Sequence, residues 1–401
     1  MGSGGAMMTW MRRNLFRSWW DGILSLVFGA LAVYVVWALV NFVFVTGRWE
    51  IIEVNLTLLL VGRFPAEELW LVGASIVGLA FWISAASSSS THPVENKRPW
   101  GARILDAVQR FGLLAGLGLL LIVLAEGMTP IYWALAIVGG IAAGRALGAT
   151  RRAFAWVGKI PALVWHALLI AVPVTLIAVT LMRSTLDSWG GFLINFYIAI
   201  ISIVLSFPLG VLLALGRRST LPIVRLLSTT YIELIRGAPL FVLLLLAGVA
   251  LEFFVPVDLA PGPIFRAVTV FTLFTAAYVA EIVRGGLQSV AKGQTEAGKA
   301  LGLNTSKVTF LITLPQALRN VIPAQIGQFI SLFKDTTLAG AALSVLEVLN
   351  IGTAITKQDD FLGQGYIYES LAFVGLLFWV GSYVMSRESQ RLETRLGVGQ
   401  R

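Results

Sequence analysis

The chain has 401 residues, of which 57% are hydrophobic and only 13% charged, with a mean hydropathy of +0.83. Soluble domains carry about 25% charged residues, so lipid rather than water is the solvent for which this chain is built. The net charge of +9 is no argument for nucleic acid, because Lys and Arg collect in the cytoplasmic loops of membrane proteins. With no cysteine and two histidines, neither a disulfide framework nor a thiolate or histidine-rich metal site is expected.

In chain order, Arg12, Arg13 and Arg17 precede an apolar run too long for the core of a signal peptide and followed by no small-residue cleavage site, which predicts an uncleaved first span. A span needs about 20 apolar residues. Runs at 23–45, 69–86, 111–126, 131–147, 162–182, 191–215, 226–255, 264–284, 306–341 and 366–386 predict ten of them, the long runs 226–255 and 306–341 each with a polar break, at Arg236-Gly-Ala-Pro239 and Lys334-Asp335-Thr-Thr337. Lys and Arg alternate between the connections. One set holds Arg12–Arg17, Lys97–Arg103, Arg145–Lys159, Arg217–Arg225, Lys292–Lys307 and Arg387–Arg395, while the opposite set is poor in both residues. That alternation places both termini in the cytoplasm. The expectation is an all-α, multi-pass membrane protein.

The chain divides by content. Residues 1–185 read as an N-terminal extension with about five spans and little nameable chemistry. Gly112-x3-Gly116, Gly140-x3-Gly144 and Gly144-x3-Gly148 are candidates for close helix contacts. Ser87–Ser90 with Thr-His-Pro forms a polar linker that leaves His92 in water, and His166 opens a span. Trp19, Trp20, Trp49, Trp70, Trp100 and Trp189 fit an interfacial belt. Residues 186–390 carry the motifs, and 391–401 form a cytoplasmic tail.

The most informative stretch lies within the connection 286–315. Glu296-Ala297-Gly298 is followed by three residues, Gly302, nine residues and Ile312-x-Leu314-Pro315. This resembles the EAA loop of the permease subunits of ATP-binding cassette (ABC) importers, with Gly298 where Ala is usual, a change worth up to ~1 kcal/mol of helix propensity. The resemblance implies that the helix at 290–304 docks on an ATPase. Small Ala297, Gly298 and Gly302 would allow close approach, Glu296 near the helix start would meet the macrodipole and a partner's cation, and Leu314-Pro315 would mark where the next span resumes. Gly293-x4-Gly298-Lys299 imitates a phosphate-binding loop, but Ala300 stands where Ser or Thr would hold magnesium, and no strand-rich domain surrounds it. The chain is therefore not expected to be an enzyme or to hold a cofactor; ATP and magnesium belong on the partner.

Three further motifs, Glu233-x-x-Arg236-Gly-Ala-Pro239, Ala277-Tyr-x-Ala-Glu281-x-x-Arg284-Gly and Lys334-Asp335-Thr336-Thr337-Leu338, together with Gln316-x-x-Arg319, resemble the histidine, glutamate, glutamine and arginine branch of amino-acid importers, in its form with a long N-terminus. The resemblance implies that the last five spans form a type I (MetI-like) permease core working by alternating access. It also implies a second permease subunit in a heterodimer, an ATPase dimer, a periplasmic amino-acid-binding protein and surrounding lipid.

Charge inside a span costs several kcal/mol unless paired or solvated. Glu233/Arg236 and Glu281/Arg284 are each three apart, so each pair shares a helix face and reads as a structural or gating ion pair. Asp335, Thr336, Thr337 and Lys334 are the first candidates for the ligand's head group, Arg236 and Glu281 the second. Glu126 reads as an interface residue; Glu252 and Glu347 lie toward the external side and touch either the binding protein or nothing. Two other readings stand beside this one: a secondary transporter, which would need inverted repeats that the first half does not supply, and a membrane scaffold that merely recruits an ATPase.

Overall fold

The computed structural model describes residues 13–89, 129–153, 157, 160, 162–183, 186–256 and 260–397. The expected span 111–126, His92, Trp100 and Glu126 lie outside them, as do the side chains of His166 and Glu252. The described residues are helical, and their only β pairings are two isolated bridges. They form two compact units, Met1–Ile51 and Ile52–Arg401.

The first unit is dominated by α1 (Trp19–Asn41), extended by a π turn at Phe42–Thr46. Ser18 and Asp21 close a capping box: Ser18 Oγ accepts from the Asp21 N–H, and Asp21 Oδ2 accepts from the Ser18 N–H. Beyond that cap α1 is apolar on every side and buries no residue, as a helix solvated by lipid would.

The second unit opens with α2 (Glu50–Val61), α3 (Leu69–Ser88), α4 (Thr129–Ala153) and α5 (Ala162–Arg183). Helices α3 and α4 pack on a glycine seam. A methyl group at Gly140 would sit 2.9 Å from Val77, and one at Gly148 would sit 2.5 Å from the Ala85 carbonyl oxygen. With Gly144 against Phe81, both predicted small-residue pairs in α4 are close contacts, while Gly112-x3-Gly116 lies outside the described residues. Ser84 Oγ donates to the Ile141 carbonyl at 2.8 Å across the seam.

The core is built from α6 (Gly191–Arg217), α7 (Pro222–Gly237), α8 (Leu240–Leu245), α9 (Pro263–Ser289), α10 (Lys292–Ala300), α11 (Leu314–Asp335), α12 (Leu338–Leu343), α13 (Val348–Ala354) and α14 (Ile367–Leu396). Helix α9 is its axis, packing on α6, α7 and α11, and α11 packs in turn on α14. Residues 55–72 join this core directly. Phe64 meets Trp189 edge-on at 5.8 Å, and Asn55 and Gln358 exchange two amide hydrogen bonds at 2.9 and 3.3 Å. Trp189 is accordingly buried between Phe64 and Tyr197, not placed in an interfacial belt.

Among the described residues five helices are long and apolar enough to cross a bilayer: Trp19–Thr46, Ala66–Ala86, Gly191–Arg217, Pro263–Ser289 and Ile367–Thr394. They coincide with five of the expected spans, and α4 and α5 occupy two more. The expected span 226–255 is broken. Its arms, α7 and the helix from Leu240, meet at 102°. Pro239 has no N–H to continue the ladder and forces Ala238 into extended backbone (φ −97°, ψ 139°). The expected 306–341 span is also segmented, with a π turn at Thr309–Thr313 before α11 and a break at Thr336–Thr337.

Candidate functional site

Three charged or polar constellations flank α9. The first is the connection after it. Helix α10 ends in a Schellman motif: Gly302 N–H donates to Lys299 O at 2.9 Å and Leu303 N–H to Gly298 O at 3.2 Å. Gly302 stands at φ +79°, a conformation that side chains rarely adopt, and no atom approaches the place a methyl group would take. Within this chain its role is to end the helix. Gly298 is buried, and a methyl group there would sit 2.8 Å from Ile312 and 3.1 Å from Val308. The departure from alanine at this position thus lets α10 lie tightly on the segment leading into α11.

Glu296 and Ala297 are exposed, on the side of α10 away from Gly298. Glu296 is the fifth residue of the helix, not one near its start, so the macrodipole contributes little. It makes no ion pair or hydrogen bond among the described residues. Leu301 (80% exposed), Phe310 and Leu311 leave large apolar side chains uncovered in the segment that follows α10. Leu314 is buried in the core, and Pro315 sits in the first turn of α11, where a missing N–H costs nothing. These two fix the start of the span, Leu314 from within the core and Pro315 at the exposed surface.

The second constellation joins the ends of α6 and α7 to α9. Arg217 places one nitrogen 2.7 Å from Glu281 and another 2.7 Å from Glu233. Arg284 chelates Glu281 at 2.9 Å, and Arg236 approaches it at 3.5 Å while its guanidinium lies over the Tyr278 ring. The predicted Glu281/Arg284 pair is made, but Glu233/Arg236 is not: Glu233 turns to Arg217, and Arg236 crosses to Glu281. Arg217, read from sequence as an ordinary loop cation, is the centre. It is the last residue of α6, so its long side chain can reach both α7 and α9. Glu281, only 15% exposed, is held by three arginines, which offsets the cost of burying a carboxylate.

The third lies where α11 ends. Thr336 is fully buried; it donates to Phe333 O at 2.7 Å and accepts from Asn195 Nδ2 at 3.0 Å. It therefore cannot meet a ligand's head group as predicted. Thr337 donates to Lys334 O, Lys334 is exposed, and the half-buried Asp335 makes no hydrogen bond among the described residues. Glu347 is 1% exposed and caps α13, accepting from Asn350 N at 2.7 Å, Leu349 N at 2.9 Å and Asn195 Nδ2 at 3.3 Å. Of the two readings, contact with an external partner or with none, that burial leaves the second. Asn195, whose Oδ1 accepts from Val348 N, was missed. An amide inside an apolar run was its signal, since such a group in a span needs a partner.

Residues 206–398 match the family of binding-protein-dependent transport system inner membrane components. The glutamate/glutamine/aspartate/asparagine transport system permease protein of Rhodobacter capsulatus is 34% identical over 96% of this chain and 93% of its own. The chain belongs to the ABC importer permeases. An inner membrane amino-acid ABC transporter permease protein of Escherichia coli is 32% identical over 98% of this chain and 94% of its own. An L-cystine transport system permease protein of Bacillus subtilis is 34% identical over 51% of this chain and 87% of its own. The permease is thus a multi-pass inner-membrane subunit, not itself an enzyme. ATP hydrolysis resides on a partner ATPase, and a substrate-binding protein completes the family's assembly.

Proposed function

We propose that this permease forms part of the translocation path of a polar amino-acid importer and receives the ATPase's motion through α10. One observation carries the reading: α10 is a short helix standing between two core helices, locked to its own chain through Gly298 and presenting Glu296 and Ala297 outward. A helix clamped in this way passes a push on to α11 as a rigid-body shift instead of bending under it. The substrate class is supported by the relatives, which are named for transport of glutamate, glutamine, aspartate, asparagine or amino acids at large.

The same reading assigns residues 1–185 to an extension around a core at 186–390, places both termini in the cytoplasm and pairs this subunit with a second, non-identical permease. ATP and magnesium bind the ATPase dimer, and a periplasmic binding protein delivers the amino acid. In the substrate path Asp335, whose side chain makes no hydrogen bond among the described residues, is the group for a ligand's ammonium. Arg236, whose contact with Glu281 is the longest of the charged cluster, is the group for its carboxylate. Glu281 is committed to its arginines and serves the gate with Glu233, Arg217 and Arg284.

The test is Glu296→Arg, with Gly302→Arg beside it, in the complete transporter. Both should assemble in the membrane and hydrolyse ATP while losing substrate-dependent uptake. Uptake at the wild-type rate by both would sink the assignment of α10.

A further inference from the structure

Beside α10 lies a cavity of about 670 Å³, walled by the end of α6, the end of α9, α10 itself and the segment 305–313. Three cations line it, Arg218 just after α6 and both Lys292 and Lys299 on α10. Hydroxyls of Ser219, Thr295 and Thr309 stand among them, and no Asp or Glu lines it. Its apolar lining includes Leu287 and Phe310.

The contrast with the neighbouring cluster is chemical. Arg217, Arg236 and Arg284 all have carboxylates within 3.5 Å. Arg218, one residue from Arg217, pairs with none among the described residues, and neither do Lys292 and Lys299. Cations gathered in a concavity and left without a counter-charge attract an anion. Donors of this kind, ammonium and guanidinium groups with interspersed hydroxyls, suit a phosphate group with several acceptor oxygens. The cavity also opens where two spanning helices end, the level at which a basic pocket meets lipid head groups.

We propose that this cavity is a phosphate-binding site, filled by the head group of an anionic phospholipid or by free phosphate, and that its occupant braces α10. Because α10 and the entry to α11 form two of its walls, an occupant ties both to the end of α6. The proposal needs the cavity and not the ATPase, so it stands or falls separately from the coupling role of Glu296.

The experiment is hydrogen–deuterium exchange of residues 290–313 in the full chain, held in nanodiscs of phosphatidylcholine alone, of phosphatidylcholine with phosphatidylglycerol, and of phosphatidylcholine with millimolar inorganic phosphate. Slower exchange only with phosphatidylglycerol identifies a lipid occupant; slower exchange with inorganic phosphate identifies free phosphate. Either protection should be lost in Arg218→Gln and, independently, in Lys292→Gln, and kept in Arg225→Gln, an exposed cation outside the cavity. Equal exchange in all three nanodiscs overturns the site. So does equal loss in Arg225→Gln, which would reduce the effect to general surface charge.

Discussion

Helices α1 and α9 are both apolar and both long enough to span a bilayer, yet they are built for different solvents. Helix α1 is crowded with Trp, Leu, Val and Phe and buries nothing, whereas α9 carries Thr272, Thr275, Ala276, Ala280 and Gly286 and buries thirteen residues. The more apolar helix is the less packed one. Lipid tails are as apolar as leucine, so hydrophobicity does not draw helices together within a bilayer. Close approach of small residues and interhelical polar contacts do.

Glycine replacement tests this difference most sharply. A side chain at Gly286 would sit 2.7 Å from the Ala317 carbonyl oxygen, whereas one at Gly29 of α1 meets nothing within 4 Å. Gly286→Leu should destabilise the purified permease by about 3 kcal/mol through overpacking, read as a lower unfolding midpoint in detergent. Gly29→Leu should leave that midpoint within about 0.5 kcal/mol of its original position. If both variants behave alike, the contrast between the helices is wrong.

Removing the hub of the charged cluster comes next. Arg217→Ala deprives Glu233 and Glu281 of a partner at once, but Arg284 stays on Glu281. The loss should be roughly 2 kcal/mol, less than for a wholly orphaned buried charge, and Lys at this position should restore only part of it because it cannot address two carboxylates in forked geometry. Smallest is Ser84→Ala in the α3–α4 seam, which removes one interhelical hydrogen bond and should cost about 0.6 kcal/mol. Gly148→Leu in the same seam should far exceed it, since glycine contact and not the hydroxyl holds these helices together.

The sequence made the spans legible because apolar runs of bilayer length need no tertiary information. The break at Pro239 was legible as well, because proline forbids the ladder, but the angle between the arms was not. What remained hidden were partnerships set by the fold. Arg217 finds its carboxylates 16 and 64 residues away, and Asn195 reaches Glu347 across 152. The i, i+3 rule therefore chose Glu281/Arg284 correctly and mispaired Glu233. Spacing also identified Gly298 and Gly302 without separating their tasks. One yields room for Ile312, the other supplies a left-handed backbone, and only coordinates tell a packing glycine from a turn glycine.

The amide exchange between Asn55 and Gln358 bears on how the molecule is made. Asn55 leaves the ribosome about three hundred residues ahead of the group that satisfies it, the separation being 303. Until Gln358 is made, the two amide hydrogen bonds between them cannot form. This latch closes only when nearly the whole polypeptide has been synthesised, so truncation before residue 358 removes one late link of α2 while leaving those that join Val61 and Phe64 to Trp189 and Gly190.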